Sequence, residues 1–158
     1  MKTAVVFYSL EGNTKFAAQT LARRLHGEAV ELHPRKAYPT GKVMKYLKGG
    51  SSAVKKESPE LKPYRFNKEE YDHIVLGSPL WAGDISPVLR TFLLENDLSG
   101  HKVSAFICRM GSDPKKAFES LRQLTHHPLE LEMTLTSPKT KQQEALKQIG
   151  EFAAKLSS

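Results

Sequence analysis

The chain has 158 residues, 39% of them hydrophobic and 26% charged, which suits a soluble domain with a sizeable core. No apolar run approaches the roughly 18 residues of a membrane span, and the opening MKTAVVFYS turns polar too soon for a signal peptide, so a cytoplasmic protein is expected. The single cysteine, Cys108, excludes an internal disulfide, no Cys/His spacing resembles a zinc site, and the formal net charge of +7 raises the question of where the excess lies.

The first element, TAVVFY (Thr3–Tyr8), is a near-continuous apolar run, the pattern of a strand covered on both faces. The polar stretch SLEGNT follows. A helix then begins near Asn13 or Thr14 and places Ala17, Ala18, Leu21, Ala22 and Leu25 on one face. EAVELH (Glu28–His33) alternates and is a weaker strand signal. Between Pro34 and Asn67 the alternation of strand and helix breaks down: a short helix around Lys42–Leu47 (KVMKYL), then Gly49-Gly50-Ser51-Ser52, then polar sequence punctuated by proline. That long excursion stands where a second crossover helix would normally sit. HIVLGS (His73–Ser78) and KVSAFIC (Lys102–Cys108) resume the buried-strand pattern. LELEMTL (Leu129–Leu135) alternates throughout, as a half-exposed edge strand does. Ser86-Pro87, Asp113-Pro114 and Ser137-Pro138 each set a capping residue before a proline suited to a first helical turn. They introduce Val88–Leu94, Ala117–Leu124 and Ala145–Leu156.

Regular alternation predicts an α/β fold, with a parallel sheet and helices on both faces. With no internal repeat, residues 1–158 read as one domain carrying an irregular excursion at 34–67. That excursion also holds the charge. Arg35, Lys36, Lys42, Lys45, Lys48, Lys55, Lys56, Lys62 and Arg65 face only Glu57 and Glu60, while the rest of the chain balances at fifteen basic and fifteen acidic residues.

Ligands of such sheets bind beyond the carboxyl ends of the strands, where strand order reverses. Three loops should meet there: SLEGNT, PLWAGD and RMGSD. In the first, the unpaired amides of a helix start, its dipole and the Ser9, Asn13 and Thr14 side chains favour an anion. Gly12 lets the backbone approach closely. The Glu11 carboxylate opposes a dianion, so it must point outward; alternatively Asn13 or Thr14 simply caps a helix after a tight turn. Rival phosphate motifs are absent: no Gly-x-x-x-x-Gly-Lys-Ser/Thr and no Gly-x-Gly-x-x-Gly. A Cys-x5-Arg phosphatase loop would need arginine where Pro114 stands, and a phospho-acceptor aspartate is replaced by Gly77-Ser78 at the end of the third strand.

YSLEGNTKFAAQTLA resembles the phosphate-binding fingerprint of the flavodoxin family, and YDHIVLGSPLWAGDISPVLRTFL with DLSGHKV resembles that family's third strand, flavin-flanking loop and next helix. The resemblance runs in order over nearly the whole chain. It is closest to short flavodoxin-like proteins with a PELKPY-type segment, here Pro59–Tyr64, before the third strand. It implies a three-layer doubly wound sandwich, a five-stranded parallel sheet of order 2-1-3-4-5, and FMN as cofactor. Carried over by position, Ser9, Leu10, Glu11, Gly12, Asn13 and Thr14 would hold the phosphate, and Pro79, Leu80, Trp81, Ala82 and Gly83 would flank the isoalloxazine ring. Trp81 would stack on it; otherwise it is a tryptophan at a strand end. Gly83 would admit a backbone group to the flavin edge, or is merely a turn residue. Asp84 reads as a helix cap.

The third loop departs from the family pattern. Electron-carrying flavodoxins often cover the outer flavin face with a tyrosine near this position, whereas Arg109-Met110-Gly111-Ser112-Asp113 contains no aromatic residue. An open outer face would admit a nicotinamide or quinone. Arg109 would stand near the pyrimidine edge or else be a solvated loop residue. Cys108 reads as packing, and His126-His127 as loop residues, with no metal.

The resemblance implies an FMN-binding redox protein, either an electron carrier or an NAD(P)H-dependent reductase of a quinone-like acceptor. Its partners would be an acidic protein or an anionic nucleotide, since the basic segment reverses the sign usual for electron-carrier flavodoxins. Two alternatives stand: a phosphate-ligand module without flavin, and binding to nucleic acid or another anionic surface through the lysine-rich segment. Tyr38, Tyr46 and Tyr64 are too scattered to read as a stacking platform for nucleic acid.

Overall fold

The computed structural model describes residues 1–39 and 57–158. Its elements in chain order are β1 (Thr3–Phe7), α1 (Asn13–Leu25), β2 (Glu28–Glu31), a 3-10 turn (Lys68–Glu70), β3 (His73–Pro79), α2 (Pro87–Glu95), β4 (Lys102–Arg109), α3 (Lys115–Thr125), β5 (Glu132–Thr136) and α4 (Gln142–Ser157). All strand pairings are parallel, in the order β2-β1-β3-β4-β5. This is the doubly wound, flavodoxin-like α/β sandwich.

Successive side chains of the central strands leave on opposite faces, which is why β1, β3 and β4 read as continuous apolar runs. Ala4, Val6, Ile74, Leu76, Val103, Ala105 and Ile107 pack against Val88, Leu89 and Phe92 of α2 and Phe118 and Leu121 of α3. Val5, Phe7, Val75, Phe106 and Cys108 pack against Ala17, Ala18 and Leu21 of α1 and Ile149 and Phe152 of α4. Helices α1 and α4 therefore share one layer, and α2 and α3 the other.

One close approach fixes a residue type. A Cβ on Gly77 of β3 would stand 2.3 Å from Cζ of Phe106, whose ring lies across the strand. No side chain fits between them.

Two of the expected helix starts differ from the sequence reading. Ser86 caps α2 as expected, accepting from the Leu89 amide at 3.2 Å with Pro87 first in the helix. Pro114 instead precedes α3, and Asp113 Oδ1 accepts the Lys115 amide at 2.9 Å. Ser137-Pro138 opens no helix. Ser137 adopts φ 45° and accepts from the amides of Thr140 and Lys141, forming a turn that delays α4 to Gln142. Strand β5 is also shorter than expected: Leu129 and Leu131 lie before it and pack on opposite faces of the sheet.

The irregular segment is closed at its base. Pro34 and Leu61 form an antiparallel bridge, with Arg35 N–H donating to Glu60 O and Lys62 N–H to His33 O, both at 2.8 Å. Beyond the bridge, Tyr64 and Phe66 pack on Phe92 of α2 with ring centroids 5.7 and 5.1 Å away. Thr91 Oγ1 donates to Pro59 O at 2.8 Å. The stretch from Glu57 to Asn67 thus covers part of α2 without forming a helix, and is less loose than the sequence suggests. The expected helix at Lys42–Leu47, the Gly49–Ser52 stretch and the lysines at 42, 45, 48, 55 and 56 lie outside the described residues. Among the described residues, no helix is long and apolar enough to cross a membrane.

Candidate functional site

The three loops expected to converge do so at the carboxyl ends of β1, β3 and β4. They line a cavity of about 250 Å³. Ser9, Leu10, Glu11, Asn13 and Thr14 come from the first loop; Pro79, Leu80, Trp81 and Ala82 from the second; Arg109 and Met110 from the third. Gly12, Gly83 and Gly111 lie beside these residues in the chain without lining the cavity, while Cys108, read as a packing residue, and Ser112 of the third loop also line it.

The first loop is built by a left-handed glycine. Gly12, at φ 101° and ψ −10°, precedes α1, and this conformation is open to glycine at little cost. Its amide donates to Ser9 Oγ at 3.1 Å. The next amides, of Asn13, Thr14 and Lys15, precede the first intrahelical bond of α1 and have no helical acceptor. Thr14 is 1% exposed, and its hydroxyl oxygen meets no hydrogen-bond partner. Burying an unpaired hydroxyl costs about 1–3 kcal/mol, so its position against the cavity fits an absent polar ligand. A phosphate ester at the helix start would satisfy Thr14 Oγ1 and the orphan amides together.

The second loop is held at both ends. Leu80 N–H donates to Cys108 O at 2.9 Å, tying it to β4. Trp81 and Asp84 exchange backbone bonds of 2.9 and 3.0 Å around Ala82 and Gly83, whose φ values are 49° and 79°. Positive φ at both central residues is the mark of a type I′ turn, and the non-glycine Ala82 carries the strain of that turn at the cavity wall. Asp84 is buried, accepts the Ile85 amide at 2.8 Å and pairs with Arg90 at 3.5 Å. It holds the loop rather than facing the cavity.

Trp81 belongs to an aromatic cluster absent from the sequence reading. Its ring stands nearly perpendicular to Tyr8 (5.7 Å, 88°) and to Tyr38 (5.1 Å, 85°). T-shaped contacts of this kind hold the indole plane in place. Tyr38, from the base of the irregular segment, is therefore not isolated. Burial, with the Tyr38 phenol adding, raises the Tyr8 pKa.

In the third loop Arg109 is half-buried and tethered. Its Nε donates to Thr136 Oγ1 at 3.1 Å and its guanidinium to Ser112 O at 3.2 Å. The guanidinium is a fixed positive charge at the rim. Burial pushes the Cys108 thiol up to about 12, and the neighbouring Thr14 hydroxyl restrains that rise. No group meets Thr14 Oγ1 at hydrogen-bond geometry, so its hydroxyl counts as unpartnered. A thiol held protonated in this way is poorly nucleophilic.

A fourth segment reaches the site. The turn before α4 brings Lys139 to the first loop, its amide donating to Asn13 Oδ1 at 3.0 Å and its Nζ to Glu11 O at 3.3 Å. His126 and His127 stay away from it: His126 ends α3, and His127 bonds to His101 O at 2.8 Å. Among the described residues, no group of three or more His, Cys, Asp or Glu side chains is placed to hold a metal ion.

Comparisons with known proteins agree with this architecture. A family model described as flavodoxin matches residues 2–148. No curated protein matches the chain. Among solved structures, a flavoprotein from Lactobacillus acidophilus NCFM in complex with FMN superposes with a TM-score of 0.75 at 20% identity, covering 89% of this chain and 97% of that one. The apo form of the flavoprotein from the same organism gives 0.63 at 21% identity, covering 89% and 95%. Oxidised flavodoxin 2 from Bacillus cereus gives 0.60 at 20% identity, covering 98% and 96%. These identities speak to the fold alone. The match of the family model over nearly the whole length goes further, and on it the chain belongs to the flavodoxin family.

Proposed function

We propose that the protein binds FMN and works as a redox protein, passing electrons between protein partners or reducing a small quinone-like acceptor with NAD(P)H. The observation that carries this reading is Thr14 Oγ1, a buried hydroxyl without a partner beside the unpaired amides of α1, in the same cavity as Trp81. A phosphorylated ligand with a flat aromatic body fits that combination. The family match and the FMN-bound Lactobacillus relative support the choice of FMN.

When bound, FMN supplies one- and two-electron redox chemistry. The chain's own residues supply the rest. Ser9 through Thr14 hold the phosphate. Pro79, Leu80, Trp81, Ala82 and Gly83 form the wall against the ring, with Trp81 held upright by Tyr8 and Tyr38. Arg109, Met110 and Gly111 border the outer face, where no aromatic side chain of the loop blocks an acceptor. Arg35, Lys36, Lys62 and Arg65 are exposed around the base of the irregular segment and favour an acidic protein or a nicotinamide dinucleotide phosphate as partner. A cytoplasmic location belongs to the same reading.

The test is the colour of the purified protein and what it releases. A yellow protein that gives up FMN on denaturation is the expected result, and a colourless one that takes up no added FMN overturns the reading. Steady-state oxidation of NAD(P)H with a quinone marks a reductase; dependence on a separate reductase marks a carrier.

A further inference from the structure

The first loop contains a conflict that the sequence alone leaves standing. Its amides and hydroxyls suit a phosphate dianion, while the acidic residue Glu11 lines the same cavity. Lys15, early in α1, brings no relief, because its ammonium is paired with Glu31 at 3.3 Å. A cation reaches the loop from 128 residues along the chain, where Lys139 Nζ bonds to the backbone Glu11 O.

We infer that Lys139 is the cationic partner of the anion held at the start of α1, and that it gives the site its preference for a phosphorylated ligand over the uncharged parent compound. Four observations carry this, and it rests on the FMN reading only for the identity of the ligand.

Helix α4 lies beside α1, so the turn preceding it returns across the sheet to the first loop. There the Lys139 amide is anchored to Asn13 Oδ1 at 3.0 Å. Because an amide N–H only donates, this bond orients the Asn13 side chain with its oxygen toward Lys139 and leaves its NH2 group as a donor. The backbone anchor fixes where the lysine starts, while its four-carbon stem is exposed and flexible.

The stem lies close over Gly12. A Cβ there would stand 3.1 Å from Lys139 Nζ and 3.3 Å from its Cδ, tight enough that the lysine would have to shift. The bond from Nζ to Glu11 O is exposed and neutral on one side, hence weak and easily exchanged for a dianion. Thr14 Oγ1, 1% exposed and unpartnered, independently marks a missing polar ligand at the first loop, which Lys139 also reaches. When an anion enters, Nζ leaves Glu11 O and pairs with it.

The test compares FMN with riboflavin, which differ by the phosphate alone. Dissociation constants are measured by flavin fluorescence quenching for the wild type, Lys139→Met and Lys139→Arg, at low and high salt. Methionine keeps the apolar stem over Gly12 and removes the charge. Lys139→Met is expected to weaken FMN about tenfold while leaving riboflavin within about twofold, as the loss of one screened ion pair of about 1.4 kcal/mol would do. Lys139→Arg should restore most of that affinity, and salt should weaken FMN binding more in the wild type than in Lys139→Met. Equal weakening of FMN and riboflavin would make Lys139 a structural tether only, and no change in either would remove it from the site; both results overturn the inference. If the wild type binds neither flavin, the FMN reading falls separately. Inorganic phosphate, followed through the amide resonances of Gly12 and Thr14, then decides: weaker phosphate binding in Lys139→Met upholds the cationic role, and unchanged binding ends it.

Discussion

Ser78 and Ser86 are eight residues apart, and the hydroxyl of the first accepts the amide hydrogen of the second at 2.9 Å. The bond closes the loop that carries Trp81, and both serines are fully buried. Ser78 Oγ in turn donates to Pro79 O at 2.8 Å, and Ser86 Oγ caps α2. One hydroxyl thus joins the end of β3, the wall of the cavity and the start of α2. Ser78→Ala leaves a buried amide without an acceptor, which costs about 1–3 kcal/mol. The expected outcome is a lower urea midpoint at unchanged m-value, with a changed near-ultraviolet circular dichroism signal from Trp81.

The residue before it makes a different prediction. Gly77 is dictated by the Phe106 ring, not by a turn, since its would-be Cβ lies 2.3 to 2.9 Å from three ring carbons. Phe106 is itself fully buried among β1, α1 and α4, so it has no space to retreat into. Gly77→Ala should destabilise by about 1–3 kcal/mol, the usual cost of overpacking a filled core. Combining it with Phe106→Leu should recover part of the loss in the same urea titration, because that change removes the ring that the new methyl meets.

The sheet and the first loop were legible in the sequence because they are local or periodic. The runs of β1, β3 and β4 announce strands covered on both faces, and the strand–helix alternation restricts the topology to parallel crossovers. The first loop is a continuous stretch, so its glycine and hydroxyl donors can be read in one place. What the sequence hid is non-local. Tyr8 and Tyr38 meet Trp81 only after β1, the base of the irregular segment and β3 are side by side. Lys139 carries no signal at all: it lies in a turn beyond the edge strand, and reaches Gly12 only because α4 packs back against α1. Ser137-Pro138 misled for a related reason. A serine before proline fits a helix cap, but here Ser137 takes a left-handed conformation and makes the turn that delivers Lys139.

A pH dependence follows from the pair that joins β2 to the start of β3. The Tyr71 hydroxyl donates to Glu28, which Lys2 also approaches at 3.6 Å. Burial first, then the bond to Glu28, pushes the Tyr71 phenol up to about 12 from 10.0. Since the folded chain holds the phenol proton more tightly than the unfolded chain, the resulting stability is fully present below pH 10 and is lost as pH rises toward about 12. The same bond, ahead of Lys2, lowers the Glu28 pKa, so that contribution is present above the ordinary carboxylate range and lost as pH falls through the lowered value. Urea midpoints measured across the alkaline range should fall less steeply in Tyr71→Phe than in the wild type. Tyr8, raised by burial and by Tyr38, and Tyr64, raised to about 12 by burial and by Glu95, should account for much of the slope that remains.

The last prediction concerns Arg109 and rests on the FMN reading. Thr136 and Ser112 hold the guanidinium in place at distances of 3.1 and 3.2 Å, so its charge cannot drift away from the cavity rim. A fixed cation favours whichever redox form of the cofactor carries more negative charge, and that is the reduced form. Unit charges about 8 Å apart at an effective dielectric of about 20 interact by roughly 2 kcal/mol, and solvent at the rim reduces this. Arg109→Ala should therefore lower the midpoint potential by tens of millivolts, on the order of 1 kcal/mol, in a spectroelectrochemical titration. Thr136→Val keeps the charge but loosens its tether, so its shift should have the same sign and a smaller size. A shift in Thr136→Val as large as that in Arg109→Ala would trace the effect to loop geometry instead of charge, and equal midpoints in all three proteins would place the guanidinium too far from the ring to act on it.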